Sequence, residues 1–159
     1  MKKLTLIMLI CVALMLCACG KTNNETKVEE PTDNPFDKVS SIYGEFLIPL
    51  WNEGFCDLYN YVEQGTNAIG EELDLEYTIN KINNLMVKRD EYNNYIQGLN
   101  NEYEQIKYIW NKIIEKYDSM YKTIKETTPK PKDTSYKLDY SNVSMYLSDF
   151  RNELNKLEE

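Results

Sequence analysis

The 159-residue sequence predicts an all-α protein, an antiparallel four-helix bundle. From residue 39 onward, large apolar residues recur at steps of three and four, the spacing of a helix with one buried face. No stretch alternates apolar and polar residues as a half-buried strand would, and no internal repeat is present. A seam with a period of seven runs from Leu75 to Thr127, but Gln97-Gly98-Leu99-Asn100-Asn101 interrupts it, so two helices are expected to fold back on each other there.

The chain opens with Lys2 and Lys3, followed by an apolar run from Leu4 to Leu16 broken only by Thr5. This is the layout of a secretory signal. The run is too short for a comfortable membrane span, which takes roughly 20 residues. It ends in Leu16-Cys17-Ala18-Cys19, with Gly20 behind. That spacing resembles the lipobox of bacterial lipoprotein precursors, over residues 1–20 alone. The resemblance implies that the thiol of Cys19 receives a diacylglyceryl group and that residues 1–18 are removed by a cut between Ala18 and Cys19. Cys17 departs from the small or hydroxyl residue usual at its position. An uncleaved anchor helix and an ordinary cleaved signal without lipid are the two alternatives. Each buried methylene contributes roughly 0.8 kcal/mol, and two acyl chains hold a protein where one barely does. The implied location is the bacterial cell membrane, lipid-anchored and facing the extracytoplasmic side.

Loss of residues 1–18 leaves 159 − 18 = 141 residues and, without Lys2 and Lys3, a charge of 16 − 26 = −10. So acidic a chain lacks the basic footprint that nucleic acid requires and would not adhere unaided to anionic headgroups. On the lipobox resemblance, the acyl chains on Cys19 supply the membrane affinity, and an envelope protein or glycan is the further partner to expect. The length suits one domain. Of four cysteines, Cys11 and Cys17 would leave with the signal, and if Cys19 carries lipid, Cys56 has no disulfide partner within the chain. Histidine is absent, which excludes Ser-His and Cys-His nucleophilic pairs, His-bearing zinc sites and Glu-x-x-His di-iron bundles. No cofactor or metal is expected.

Residues 19–37 read as the lipidated cysteine and a flexible tether, polar and carrying Pro31 and Pro35. The bundle domain is placed at 38–159. Its first helix shows two stripes slightly out of phase, Val39, Ile42, Phe46, Leu50 and then Trp51, Phe55, Leu58, Val62. Pro49 removes a backbone donor between them, which predicts a kink near 45–49. Gly65 suits the left-handed cap that ends the helix. Glu71, Glu72 and Asp74 place acid where the next helix N-terminus favours it.

The seam places Leu75, Ile82, Arg89, Ile96, Tyr103, Trp110, Tyr117 and Ile124 at one position of the seven, and Thr78, Leu85, Tyr92, Leu99, Ile106, Ile113, Met120 and Thr127 three residues on. A single helix of about 50 residues would need a partner chain for that seam. A hairpin buries it internally, with Gly98 as C-cap and Asn101 with Glu104 as a capping box. Pro129 and Pro131 then stop the helix, and residues 127–140 are expected to cross the side of the bundle in extended form, offering Tyr136, Leu138 and Tyr140 for packing. A last helix from about Asn142 carries Val143, Tyr146, Leu147, Phe150, Leu154 and Leu157 on one face. Thirteen tyrosines stand where leucines would be commoner, and their hydroxyls should keep many of them at the rim.

Little chemistry is apparent. Glu53 and Asp57 lie one turn apart near Trp51 and Tyr61, a carboxylate pair over an aromatic floor, as an envelope glycan-acting enzyme would need. A solvated helix face explains the same spacing. Cys56 has no activating neighbour and reads as a small core residue; Trp51 and Trp110 read as core anchors. A solute-capturing lipoprotein of the two-lobed α/β kind would need a longer chain and strands. The sequence thus points to a non-enzymatic binding or envelope-interaction module with no catalytic residues, the glycan-acting enzyme and a small solute receptor being the alternatives.

Overall fold

The structure, a computed structural model, describes residues 34–158, so the signal, Cys19 and nearly all of the tether lie outside the described residues. The described chain is helical without strands and forms the expected four-legged antiparallel bundle. Helix α1 spans residues 35–64. The second leg is divided into α2 (Leu75–Met86) and α3 (Arg89–Gln97), followed by α4 (Glu104–Glu126) and α5 (Val143–Glu158). Among the described residues, no helix is long and apolar enough to cross a membrane.

Helix α1 begins earlier than the sequence suggests, because Pro35 is its first residue rather than part of the tether. Proline is at ease there, where its missing N–H has no helical partner to lose. The Asn34 side chain accepts from the Phe36 N–H at 3.1 Å. Within α1, Tyr43–Leu47 and Trp51–Phe55 are π-helical turns, closed by bonds from the Ile48 N–H to the Tyr43 carbonyl and from the Cys56 N–H to the Trp51 carbonyl. Each turn takes in an extra residue and rotates the buried face, so Phe46 and Leu47 are both buried, as are Gly54 and Phe55. The phase slip between the two stripes thus has a structural origin. The discontinuity expected near Pro49 takes the form of a widened turn. Gly65 ends α1 with φ 85°, its N–H shared between the carbonyls of Asn60 and Tyr61.

The second leg breaks at Val87 and Lys88, which the unbroken seam did not suggest. The Lys88 N–H reaches only to the Leu85 carbonyl, three residues back, and Val87 is 82% exposed. The Arg89 side chain just beyond the break reaches across to both carboxylate oxygens of Asp118 on α4, which explains a charged residue on the seam. The hairpin turns where expected, with two corrections. Gly98 is the C-cap but has φ −78°, so its left-handed freedom is not used. Asn100, not Asn101, caps the next turn, accepting from the Glu102 N–H at 3.0 Å. A single 3-10 turn, Asn101–Tyr103, then leads into α4. Cross-leg hydrogen bonds fix the antiparallel direction, pairing Gln97 with Asn111, Asn93 with Trp110, Arg89 with Asp118 and Asn83 with Tyr121.

Helix α4 is the most deeply set, burying Ile106, Ile109, Trp110, Ile113, Ile114, Tyr117, Met120 and Ile124. Phe46 of α1 lies against its Trp110 and Phe55 against its Tyr117, so α1 and α4 run the same way across the core. The buried Tyr117 hydroxyl donates to the Leu47 carbonyl at 2.8 Å, where the α1 ladder changes register. Helix α5 returns antiparallel to α1, with Tyr43 stacked on Phe150 at 5.6 Å.

Between α4 and α5, residues 127–142 form a strap. The Lys132 N–H bonds the Tyr61 carbonyl near the end of α1, and Tyr140 packs lower down on Trp51 and Tyr59. Part of the bundle side is thereby covered by non-helical chain that crosses it and packs with Tyr140, as expected, but turns at 131–132 and 134–135 interrupt the extended form expected over 127–140. Lys132 (φ 59°), partway along the strap, and Asn142 (φ 64°), at its end, have left-handed backbone. Left-handed backbone costs a side-chain-bearing residue roughly 1–2 kcal/mol, less for asparagine.

Gly54 and Gly44 make a matched test of the α1 packing. A Cβ on Gly54 would sit 2.9 Å from Ile82 Cγ1, whereas one on Gly44 meets nothing within 4 Å. Alanine gains about 1 kcal/mol over glycine in an open helix, but overpacking costs about 1–3 kcal/mol. Gly44→Ala should therefore raise the urea midpoint and Gly54→Ala lower it. Equal stabilisation by both would contradict the close α1–α2 approach.

Candidate functional site

Glu53 and Asp57 do come together, in a shallow pocket of about 220 Å³ between α1, α2 and the loop 65–74, alongside Lys81, Asp74, Leu73 and Tyr77. Their engagements are structural. Glu53 is ion-paired with Lys81 of α2. Asp57 Oδ1 accepts from the Ala68 N–H at 2.9 Å and so holds the loop against α1. The loop is also knotted locally, with Asn67 Oδ1 accepting from the N–H groups of Ile69 and Glu71. Asp74 caps α2 by accepting from the Tyr77 N–H at 2.9 Å.

The expected aromatic floor is absent from this pocket. Residues two apart on a helix point nearly opposite ways, and Trp51 accordingly faces Tyr140 with ring centroids 6.1 Å apart. Tyr61 does not line the pocket either. Leu73 and Tyr77 take the place assigned to them, and no spacing around Glu53 could have indicated it because both belong to another segment.

Cys56 is half-buried and free. Burial first, then the neighbouring Asp57 charge, push its thiol up to about 11. It is therefore protonated at neutral pH, the opposite of an activated nucleophile. Trp110 is a core anchor as expected, fully buried with its indole N–H on Asn93 Oδ1 at 3.1 Å. Trp51 is half-buried. Among the described residues, no three or more Cys, Asp or Glu side chains are grouped to hold a metal ion.

Sequence reasoning missed the cluster beneath the strap. Tyr140 meets Tyr59 edge-on at 5.0 Å and Trp51 at 6.1 Å. Burial, followed by the proximity of Tyr136 and Cys56, raises its phenol well above the ordinary value. Tyr136 is buried and pushed up to about 12 by desolvation, and its hydroxyl has no hydrogen-bond partner among the described residues. The alternation of Tyr136, Leu138 and Tyr140 was the available signal, but the strap's landing place on α1 was not.

Two wider depressions are mixed in character. One of about 490 Å³ lies between α4 and α5, with Tyr108, Lys112, Tyr146 and Asp149 among its walls. Another of about 610 Å³ lies at the end of the bundle where Asn34 and Leu157 meet the Asn100 turn. The first gathers carboxylates, lysines and tyrosine hydroxyls, the second carboxylates and amides.

No protein-family model matches the sequence, and no curated protein or solved structure is significantly similar to it.

Proposed function

We propose that the protein is a bacterial lipoprotein, anchored through acylated Cys19 on the extracytoplasmic face of the membrane, whose helical domain works by non-covalent recognition of an envelope component. The Leu16-Cys17-Ala18-Cys19 lipobox before a polar tether carries the anchoring. The recognition reading is supported by the carboxylate pair, whose members are committed to holding α2 and the 65–74 loop. The enzymatic alternative would rest on Glu53 and Asp57, and the glycan it would cut is the substrate to be offered.

One complementation experiment in a deletion strain tests both halves. Cys19→Ser should shift the protein from the detergent phase to the aqueous phase, or leave an unprocessed precursor. Normal cleavage with unchanged partitioning would refute the anchor. Glu53→Gln with Asp57→Asn keeps volume, and the Glu53–Lys81 pair is a surface ion pair of the kind that contributes about 0–1 kcal/mol, so the double variant should fold and rescue. A folded, anchored variant that failed to rescue, together with glycan cleavage by purified wild-type protein, would replace recognition by catalysis.

A further inference from the structure

Along the strap, Tyr136 is buried, Lys137 exposed, Leu138 half-buried, Asp139 exposed and Tyr140 half-buried. Every second side chain of this stretch is turned inward, as along an extended peptide, although the Tyr140 N–H bond to the Leu138 carbonyl tightens its end. It lies over a face of α1 that includes Trp51, Tyr59 and the half-buried Cys56. The docking is weakly secured for such a length of chain. One main-chain bond joins Lys132 to Tyr61, and the Lys116 ammonium on Asp139 and Ser141 is a surface clip. The Tyr136 hydroxyl is buried without a partner. Lys132, partway along the strap, and Asn142, at its end, are the non-glycine residues with left-handed φ among the described residues. Segments with few ladder bonds and locally unfavourable terms open below the global unfolding free energy, and strain that the surroundings must hold in place is characteristic of switch regions.

We propose that residues 132–142 are a releasable cover occupying a peptide groove on α1, and that the groove's partner in trans is an extended protein segment with large aromatic or aliphatic side chains at alternate positions. The cover pivots at Lys132 and Asn142 and bares Trp51 and Cys56 beside the already exposed Tyr59, while the hairpin and α1 stay folded. The partner docks as the strap does, side chains inward at every second residue, a recurring mode of peptide recognition. This gives the recognition reading a surface and a partner class. It rests on that reading only for its use in the cell, since opening is measurable on unanchored protein.

The test is the rate at which iodoacetamide alkylates Cys56 in the full chain, mapped by mass spectrometry at fixed pH and at urea concentrations below the unfolding transition. The rate should rise with urea on a slope well below that of global unfolding. Tyr140→Ala should speed alkylation about tenfold through loss of an aromatic anchor. Lys132→Gly should slow it about fivefold by relieving the hinge. A free peptide of residues 133–141 at millimolar concentration should slow the Tyr140→Ala variant back toward the wild-type rate. A urea slope equal to that of global unfolding, or a wild-type rate equal to that of an unstructured peptide thiol, would overturn the cover. Failure of the peptide to protect Cys56 would overturn the groove. If Tyr140→Ala does not fold by circular dichroism, the wild-type slope and the Lys132→Gly rate still decide the opening, and peptide protection is read on wild-type protein. Failure of anchoring by Cys19 would leave all these rates unchanged, so the two readings fail separately.

Discussion

Replacing Trp110 with alanine should remove about 3–5 kcal/mol of folding stability, the usual cost of emptying a buried tryptophan site. The indole is fully buried, packs against Phe46 at 5.9 Å and donates to Asn93 at 3.1 Å. Its loss opens a void between α1 and α4 and leaves the half-buried Asn93 without that donor. Domains of this size are stable by only about 5–15 kcal/mol, so the urea midpoint should fall steeply. Trp110→Phe, which keeps most of the volume, should recover more than half of the loss. A change below about 1 kcal/mol for the alanine variant would mean that α4 is not packed as described.

Stability should be level from about pH 5 to pH 9 and then collapse. No histidine titrates in that interval. Six acids have folded values raised above their ordinary ones: Cys56 to about 11 from 9.0, Tyr136 to about 12 from 10.0, and Tyr140, Tyr117, Tyr43 and Tyr103 also upward from 10.0. Burial is the leading cause in each. A raised acid is held protonated by the fold, so above its ordinary value the unfolded chain binds fewer protons and stability falls with pH. The contribution is complete below about pH 9, begins to go as the unfolded thiol and then the unfolded phenols ionise, and is lost through the folded values. Thermal melts should therefore hold their midpoint to about pH 9 and lose it between about 10 and 12. A midpoint unchanged at pH 11 would refute the burial of this group of side chains. On the acid side, Asp139 is held down to about 2 by Lys116 and then Ser141. Stability from that clip is present above 3.8 and lost as pH falls through about 2, but the group is exposed and its share small.

The architecture was readable because burial in a bundle follows a fixed period. Tyr103, Ile106, Trp110, Ile113, Tyr117, Met120 and Ile124 were all placed on the seam and all are buried. Gly65, Pro129 and the turn near Gly98 were readable because local backbone chemistry decides them. The misreadings have a common cause in tertiary demands that override local ones. The π turns answer to the packing of α1 against two neighbours, with Pro49 between them. The cap falls at Asn100, one residue before the capping box chosen from the sequence, and the break at Val87 interrupts a seam that periodicity leaves unbroken. At the candidate site, the sequence put Glu53 and Asp57 together because they share a helix. It could not supply Lys81, Ala68 or Leu73, which arrive from other segments, and Trp51, offered as a floor for the pair, packs on Tyr140 instead.

The chain enters and leaves the bundle at one pole, since Asn34 and Glu158 both line the depression beside the Asn100 turn. In mechanical terms, a load applied between the two ends would meet α1 and α5 as a zipper. Their antiparallel pairing would be peeled apart a turn at a time, beginning from the pole and reaching the Tyr43–Phe150 stack early. No step of that opening would require the two helices to slide past each other in shear, so this pair would yield to a smaller pull than the deeply set α4 and the hairpin behind it.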